Sequence, residues 1–241
     1  MKGRFFEYMR LSLSGLRDLF LTRNCTVCSG VLLSGEEHLC RKCLDDIPLT
    51  YTWCYSENAV MERLGSRCRT YNAASLFFYR HGAPHTRIVT DFKYYRREPL
   101  GLWAGRMLGS YLREGGLYGG VQAIVPVPLH PLRRFKRGFN QSEIIARGIS
   151  QMLPGTFVAP RLLQRLRHTS TQTRKSADER SRNISGAFRV RGRELERLRA
   201  AGVTHILVVD DVLTTGATLS ECVRALQDHF TVSAATLGFV E

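Results

Sequence analysis

Apolar positions along the chain follow two rhythms. From about residue 122 onward, short unbroken aliphatic runs at 122–127, 205–209 and 232–240 alternate with stretches of helical spacing at 142–152, 194–200 and 219–226. Unbroken runs rich in β-branched residues read as strands buried on both faces of a sheet, which is the habit of parallel strands. Shorter strands are expected at 162–166 and 187–190, with a helix at 177–184, and Ser142 is the expected N-cap of the 142–152 helix. Upstream, 73–80 reads as a strand with aromatic content and 84–97 and 100–112 read as helices. The first helix carries the run Phe92-Lys93-Tyr94-Tyr95-Arg96-Arg97, in which charges are expected outward or, alternatively, bases stack on the rings. At the start of the chain, Phe5, Phe6, Met9, Leu13, Leu16 and Phe20 fall on one stripe of an amphipathic helix. Strand–helix alternation after residue 120 predicts an open, mostly parallel α/β sheet.

The run at 205–209 ends in chemistry. Asp210 and Asp211 follow it directly, then Thr214-Thr215-Gly216-Ala217-Thr218, and then the helix that begins near Leu219. The strand is expected to stop at the two carboxylates. A helix start offers unpaired backbone N–H groups and the positive end of the helix dipole, so a turn there attracts an anion. Gly216 allows close approach of a phosphate, and Thr214, Thr215 and Thr218 add hydroxyl donors. The acidic pair suits vicinal hydroxyls of a ribose, or Mg²⁺ held through water. A second candidate lies at 133–143, where Arg134, Lys136 and Arg137 precede Gly138, Asn140 and Gln141 between a strand end and a helix start. That is a place for a pyrophosphate.

Charge sharpens this picture. The chain of 241 residues carries a formal +14, and fifteen Lys or Arg against three acids between Pro131 and Arg193 account for +12 of it. Such a surplus points to a polyanionic partner. Cysteine adds a separate signal: Cys25-x2-Cys28-x11-Cys40-x2-Cys43 offers four thiolates in two knuckles, the pattern of a closed, structural zinc site. Disulfides are the competing reading, disfavoured because no signal peptide is recognised. Cys54 and Cys68 are spaced too loosely to define a second site, and Cys222 is expected in the core. No 18-residue apolar run is present, so no transmembrane segment is expected and a cytoplasmic location is. The scattered histidines form no Ser-His-Asp or Cys-His pairing.

The Asp-Asp/Thr-Thr-Gly-Ala-Thr segment resembles the phosphoribosyl-pyrophosphate (PRPP) signature of the type I phosphoribosyltransferases. In that family the two acids bind the ribose hydroxyls and the threonine loop binds the 5′-phosphate. Taken with the paired CxxC module, Val127-Pro128-Leu129-His130, Arg137-Gly138-Phe139-Asn140-Gln141-Ser142-Glu143, Thr171-Gln172-Thr173, Arg180-x-x-Asn183 and Gly186-Ala187-Phe188, the chain from about residue 20 to 241 resembles the ComF family. The resemblance implies a zinc-ribbon module at 23–70 after the helix at 1–22, and a phosphoribosyltransferase-like domain at 71–241. It implies a role in natural competence, handling incoming single-stranded DNA, with competence-machinery proteins as partners. Two alternatives stand beside it: an active phosphoribosyltransferase using PRPP with Mg²⁺ and an unidentified acceptor, and a PRPP-sensing regulator.

Overall fold

A computed structural model describes residues 23–129, 138–166 and 186–241. The helix expected at 5–20, the side chains Arg134, Lys136 and Arg137, and the polar loop and helix expected at 167–184 lie outside the described residues. The chain divides into two compact units, Met1–Ile47 and Pro48–Glu241.

In the first unit the backbone folds around the cysteines. Asn24 and Val31 form an antiparallel bridge, and the turn between them closes through Cys25 N to Gly30 O (2.8 Å) and Ser29 N to Cys25 O (2.9 Å). A single short helix, α1 (Arg41–Asp45), follows the third cysteine. The link between the knuckles is tied by Glu36, whose carboxylate accepts from Leu33 N and Arg41 N, both at 2.7 Å. These bonds, followed by the nearby Arg23 charge, hold its carboxyl below the usual range.

The second unit opens with a 3₁₀ turn (Thr52–Cys54) and α2 (Ala59–Gly65). Asn58 caps α2, its side chain accepting from Val60 N and Met61 N. Next come β1 (Ala73–Phe78), a 3₁₀ turn (Pro84–Thr86), α3 (Arg87–Tyr94), α4 (Glu98–Glu114), β2 (Ala123–Pro126), α5 (Gln141–Met152) and β3 (Phe157–Val158). β4 (Leu163–Arg165), β5 (Phe188–Val190), α6 (Gly192–Ala200), β6 (His205–Leu213), α7 (Ala217–Leu226) and β7 (Thr231–Phe239) complete it. The main sheet has the order β1-β7-β6-β2-β3, and every pairing in it is parallel. β4 and β5 form a separate antiparallel pair, so they do not extend the parallel sheet.

β6 shows why an unbroken apolar run makes a central strand. Side chains alternate between faces, and Ile206, Leu207, Val208 and Val209 are all fully buried, so both faces are covered. Ile206 and Val208 join one core with Leu195 and Leu198 of α6 and Leu219, Val223 and Leu226 of α7. The open edge of β1 is covered by the segment that precedes α2: Phe78 N donates to Pro48 O (2.9 Å), and Ser75 N donates to the Thr52 hydroxyl (2.9 Å). Covering an edge in this way removes a template for unwanted strand pairing.

On the other side α4 and α5 pack against each other with their backbones touching. A Cβ at Gly105 would collide with Ile145 O, one at Gly148 with Leu102 O, and one at Gly109 would come within 2.9 Å of Ile149 Cα. Neither α4 nor α5 could approach so closely with larger residues at these positions. The glycine spacing alone does not announce this packing in the sequence.

Candidate functional site

β6 does not stop at the acidic pair. It pairs with β7 through Asp210↔Thr236 and Val212↔Gly238 to Leu213↔Phe239. The expectation of a break at the carboxylates is corrected: backbone pairing is indifferent to them while a neighbouring strand continues. The turn to α7 is made at Gly216, which caps the helix at φ +76°, a left-handed conformation that suits glycine. There is also little room for a side chain, since a Cβ would meet Leu64 Cδ2 of α2 at 3.3 Å. Helix α7 begins at Ala217, two residues before the position expected from spacing.

A small cleft is lined by Asp210, Thr214, Thr215, Gly216, Ala217 and Thr218, with Thr236 of the neighbouring strand. Six of the seven residues expected at the acidic pair and threonine loop therefore share one concavity. Asp211 contributes differently. Its Oδ2 lies 3.0 Å from Nζ of Lys93 on α3, in a pair whose side chains are only 18% and 19% exposed. Asp210 Oδ1 accepts from Ser142 Oγ of α5 (3.0 Å) and from Asp211 N (2.9 Å).

Three elements distant in sequence thus meet at the carboxylates. Burial, followed by the adjacent Asp211 charge, pushes the Asp210 carboxyl up to about 7, against the opposing pull of the Asp211 N–H, Lys93 and Ser142. For Lys93, burial works against the ammonium, but the Asp211 carboxylate outweighs it and holds the pKa above the ordinary lysine value.

The threonine loop is braced from outside. Arg63 of α2 donates from Nη1 to Thr214 O (2.6 Å) and to Val240 O (3.1 Å), and its guanidinium lies 5.0 Å over the Phe239 ring. This fixes a loop carbonyl without using the threonine hydroxyls.

At the second expected site, Gly138 adopts φ +82°. Asn140 is the N-cap of α5, although its side chain makes no capping bond and donates instead to Val127 O (3.1 Å). The expectation that Ser142 caps this helix is corrected. Its hydroxyl is committed to the Asp210 carboxylate, and hydrogen bonds to carboxylates are stronger than those to neutral acceptors. Gln141 is 1% exposed, with neither amide atom partnered among the described residues.

Lys93, Ser142 and Arg63 contribute in roles the sequence did not predict: Ser142 is expected there as a cap and Lys93 as an outward charge, but both meet the carboxylates. For Lys93 a signal existed: Ile88, Val89 and Phe92 mark the buried stripe of α3, and Lys93 stands four residues after Val89, on that stripe. A charge at a core position on such a helix requires a buried partner. The sequence does not say which one.

In the first unit the sulfur atoms of Cys25, Cys28, Cys40 and Cys43 lie within 4.8 Å of one another. Cys28 and Cys40 are 3.7 Å apart, close to the ~3.8 Å edge of a tetrahedron with Zn–S bonds of about 2.3 Å. Burial opposes ionisation of Cys25, but N–H groups of Cys28, Cys40 and Val27 outweigh it and bring this thiol to about 6. The four-sulfur donor set fits zinc and leaves no open position, which is the structural kind of site. Cys68 lies instead 3.7 Å from Leu64 O and 3.4 Å from Thr70 Oγ1, and Cys54 is exposed. Cys222 is buried in the core, as expected.

A parallel sheet flanked by helices, preceded by a four-cysteine cluster, is consistent with a phosphoribosyltransferase-like fold carrying a zinc-ribbon module. No protein-family model matches the chain. It is 34% identical over 146 residues to DNA utilization protein YhgH of Salmonella typhimurium, covering 59% of this chain and 61% of that protein. To the YhgH of Escherichia coli K12 it is 32% identical over 149 residues, 61% of this chain and 62% of that one. Competence protein F of Haemophilus influenzae is 26% identical over 220 residues, 86% of this chain and 92% of that protein. The match therefore spans less than two thirds of the YhgH proteins' length, and most of Competence protein F. These relatives and the four-cysteine cluster support a ComF-family assignment. Among the described residues no helix is long and apolar enough to cross a membrane.

Proposed function

We propose that this protein binds PRPP at the Asp210/Asp211 cradle and handles single-stranded DNA during DNA uptake, in the cytoplasm. The observation that carries the first half is the shared concavity of Asp210 with Thr214, Thr215, Gly216, Ala217 and Thr218 at the start of α7. The carboxylates suit ribose hydroxyls and, through water and ligand oxygens, Mg²⁺. The loop suits a 5′-phosphate, with the helix start and hydroxyls as donors. Arg134, Lys136 and Arg137, with Gly138, Asn140 and Gln141, are assigned to the pyrophosphate. The buried amide of Gln141, without a partner among the described residues, supports this, because a buried amide without hydrogen bonds is costly unless something meets it. The four cysteines hold a structural Zn²⁺.

The DNA half draws on the names of the relatives, competence and DNA utilization, and on the +12 surplus between residues 131 and 193. Cationic side chains that neutralise phosphates release counterions and so confer affinity without reading sequence. Calorimetric titration with PRPP and Mg²⁺ tests the cradle, with wild-type binding expected and its loss in Asp210→Asn/Asp211→Asn. Absence of wild-type heat would remove PRPP from the reading. Oligonucleotide binding across a salt series tests the other half. About five engaged cations predict a log–log slope of roughly −3 to −4.

A further inference from the structure

The end of helix α3 presents two opposite chemistries within four residues. Phe92 is fully buried and Lys93 turns in to Asp211, yet Tyr94 and Tyr95 are 69% and 74% exposed. Two adjacent rings left largely in water at the end of an otherwise amphipathic helix are not accounted for by the core. They line an open concavity of about 570 Å³ with Arg87, Thr90, Asp91 and Arg97. Its charge is basic on balance: Arg87 and Arg97 against Asp91, which lies 3.5 Å from an Arg97 nitrogen.

The next residue extends the surface. Arg96 has φ +55°, an unusual backbone conformation for a residue with a side chain. It carries its guanidinium against Gly138, where a Cβ would collide with it. Arg96 therefore stands beside the two tyrosines in the chain and against Gly138 in space.

We infer that Tyr94 and Tyr95 form a stacking platform for unpaired bases, with Arg87, Arg96 and Arg97 taking the strand's phosphates. Flat aromatic faces beside a basic track are what a single strand needs. Every base has a π-face, so stacking works without sequence preference, while a duplex keeps its bases stacked on each other. This inference rests on the single-stranded DNA reading above, and assigns that reading a surface.

The test is fluorescence anisotropy of a labelled oligo-dT with the full-length protein, read as affinity and as salt slope. In Tyr94→Ala/Tyr95→Ala the affinity should fall about 10- to 100-fold, since a stacked base contributes ~1–3 kcal/mol. The salt slope should not change, because no cation is removed. Tyr94→Phe/Tyr95→Phe should restore binding. Arg87→Ala/Arg97→Ala should instead flatten the slope by roughly 0.7 for each phosphate that is no longer neutralised. Both tyrosines are exposed, so the fold survives these changes, as PRPP titration and circular dichroism would record. An alanine pair within twofold of wild type overturns the platform, as does equal affinity for duplex of the same length. If wild type binds no oligonucleotide at low salt, the DNA reading itself falls, while PRPP titration still reports on the cradle.

Discussion

The four-cysteine module and the α/β unit reach order by different routes. In the module the described residues bury Cys25, Val27, Leu32, Leu39 and Ile47, and the secondary structure is one bridge and the short helix α1. So little apolar area cannot offset chain entropy, and what converges instead is four sulfur atoms. The α/β unit buries both faces of a five-stranded sheet under helices, and its polar cradle interrupts a mostly apolar interior. Where a fold is made by a few ligand atoms, spacing in the chain reveals it. Where it is made by packing, the partners of each side chain come from anywhere in the sequence.

Metal removal strains that contrast most. Structural zinc sites carry apparent binding free energies of about 10–16 kcal/mol at neutral pH, and that energy is folding energy. One zinc per chain is expected by elemental analysis. Chelation, or Cys40→Ser, should abolish amide protection at residues 23–47 while protection across β6 and β7 persists, as hydrogen exchange would show. Loss of protection in both regions together would break the comparison.

The converse perturbation belongs to the packed unit. Gly148→Leu places a side chain against Leu102 O and the Gly105 backbone. Backbone cannot yield as a side chain can, so a loss of about 3 kcal/mol or more is expected in denaturant titration. Zinc content should be unchanged. A variant as stable as wild type would show that α4 and α5 can separate at little cost.

These two cases also mark how far the sequence could be read. Cys25, Cys28, Cys40 and Cys43 were legible because a tetrahedral ion dictates close pairs at short range. The strand-turn-helix around Asp210 and Gly216 was legible because β-branched runs, a left-handed glycine and helical spacing are local properties. Lys93, Ser142 and Arg63 were not, since their roles depend on which elements the sheet order brings together: 118 residues separate Lys93 from Asp211, and 151 separate Arg63 from Thr214. The close approach of α4 and α5 was hidden for the same reason. A glycine in a helix signals nothing until its neighbour is known.

Lys93→Met probes the hidden part directly. It leaves Asp211 with a partly buried charge and no ammonium beside it. Breaking a fully buried pair costs about 3–5 kcal/mol; with both side chains still near a fifth exposed, ~1–3 kcal/mol is expected. Asp211→Asn on the same background should recover part of the loss, and a double-mutant cycle reads the coupling. Additive effects would mean that the two charges are screened from each other despite the 3.0 Å separation.

The last perturbation is the most specific to the cradle. The Asp210 carboxyl stands at about 7 in the folded chain against an ordinary 3.8, raised by burial and then by Asp211. Between those values the folded protein keeps a proton that the unfolded chain has released. More protons bound in the native state means that stability falls as pH rises through this window, and levels off above it. Asp210→Asn cannot titrate, so the difference in stability between wild type and variant should decline from pH 4 to 7 and then stay constant, as paired thermal melts would record. Lys93 and Ser142 both pull against the elevation, so Lys93→Met should carry the decline to a pH above 7. If it instead moves lower, the ammonium does not act on Asp210, and the two carboxylates answer to separate partners.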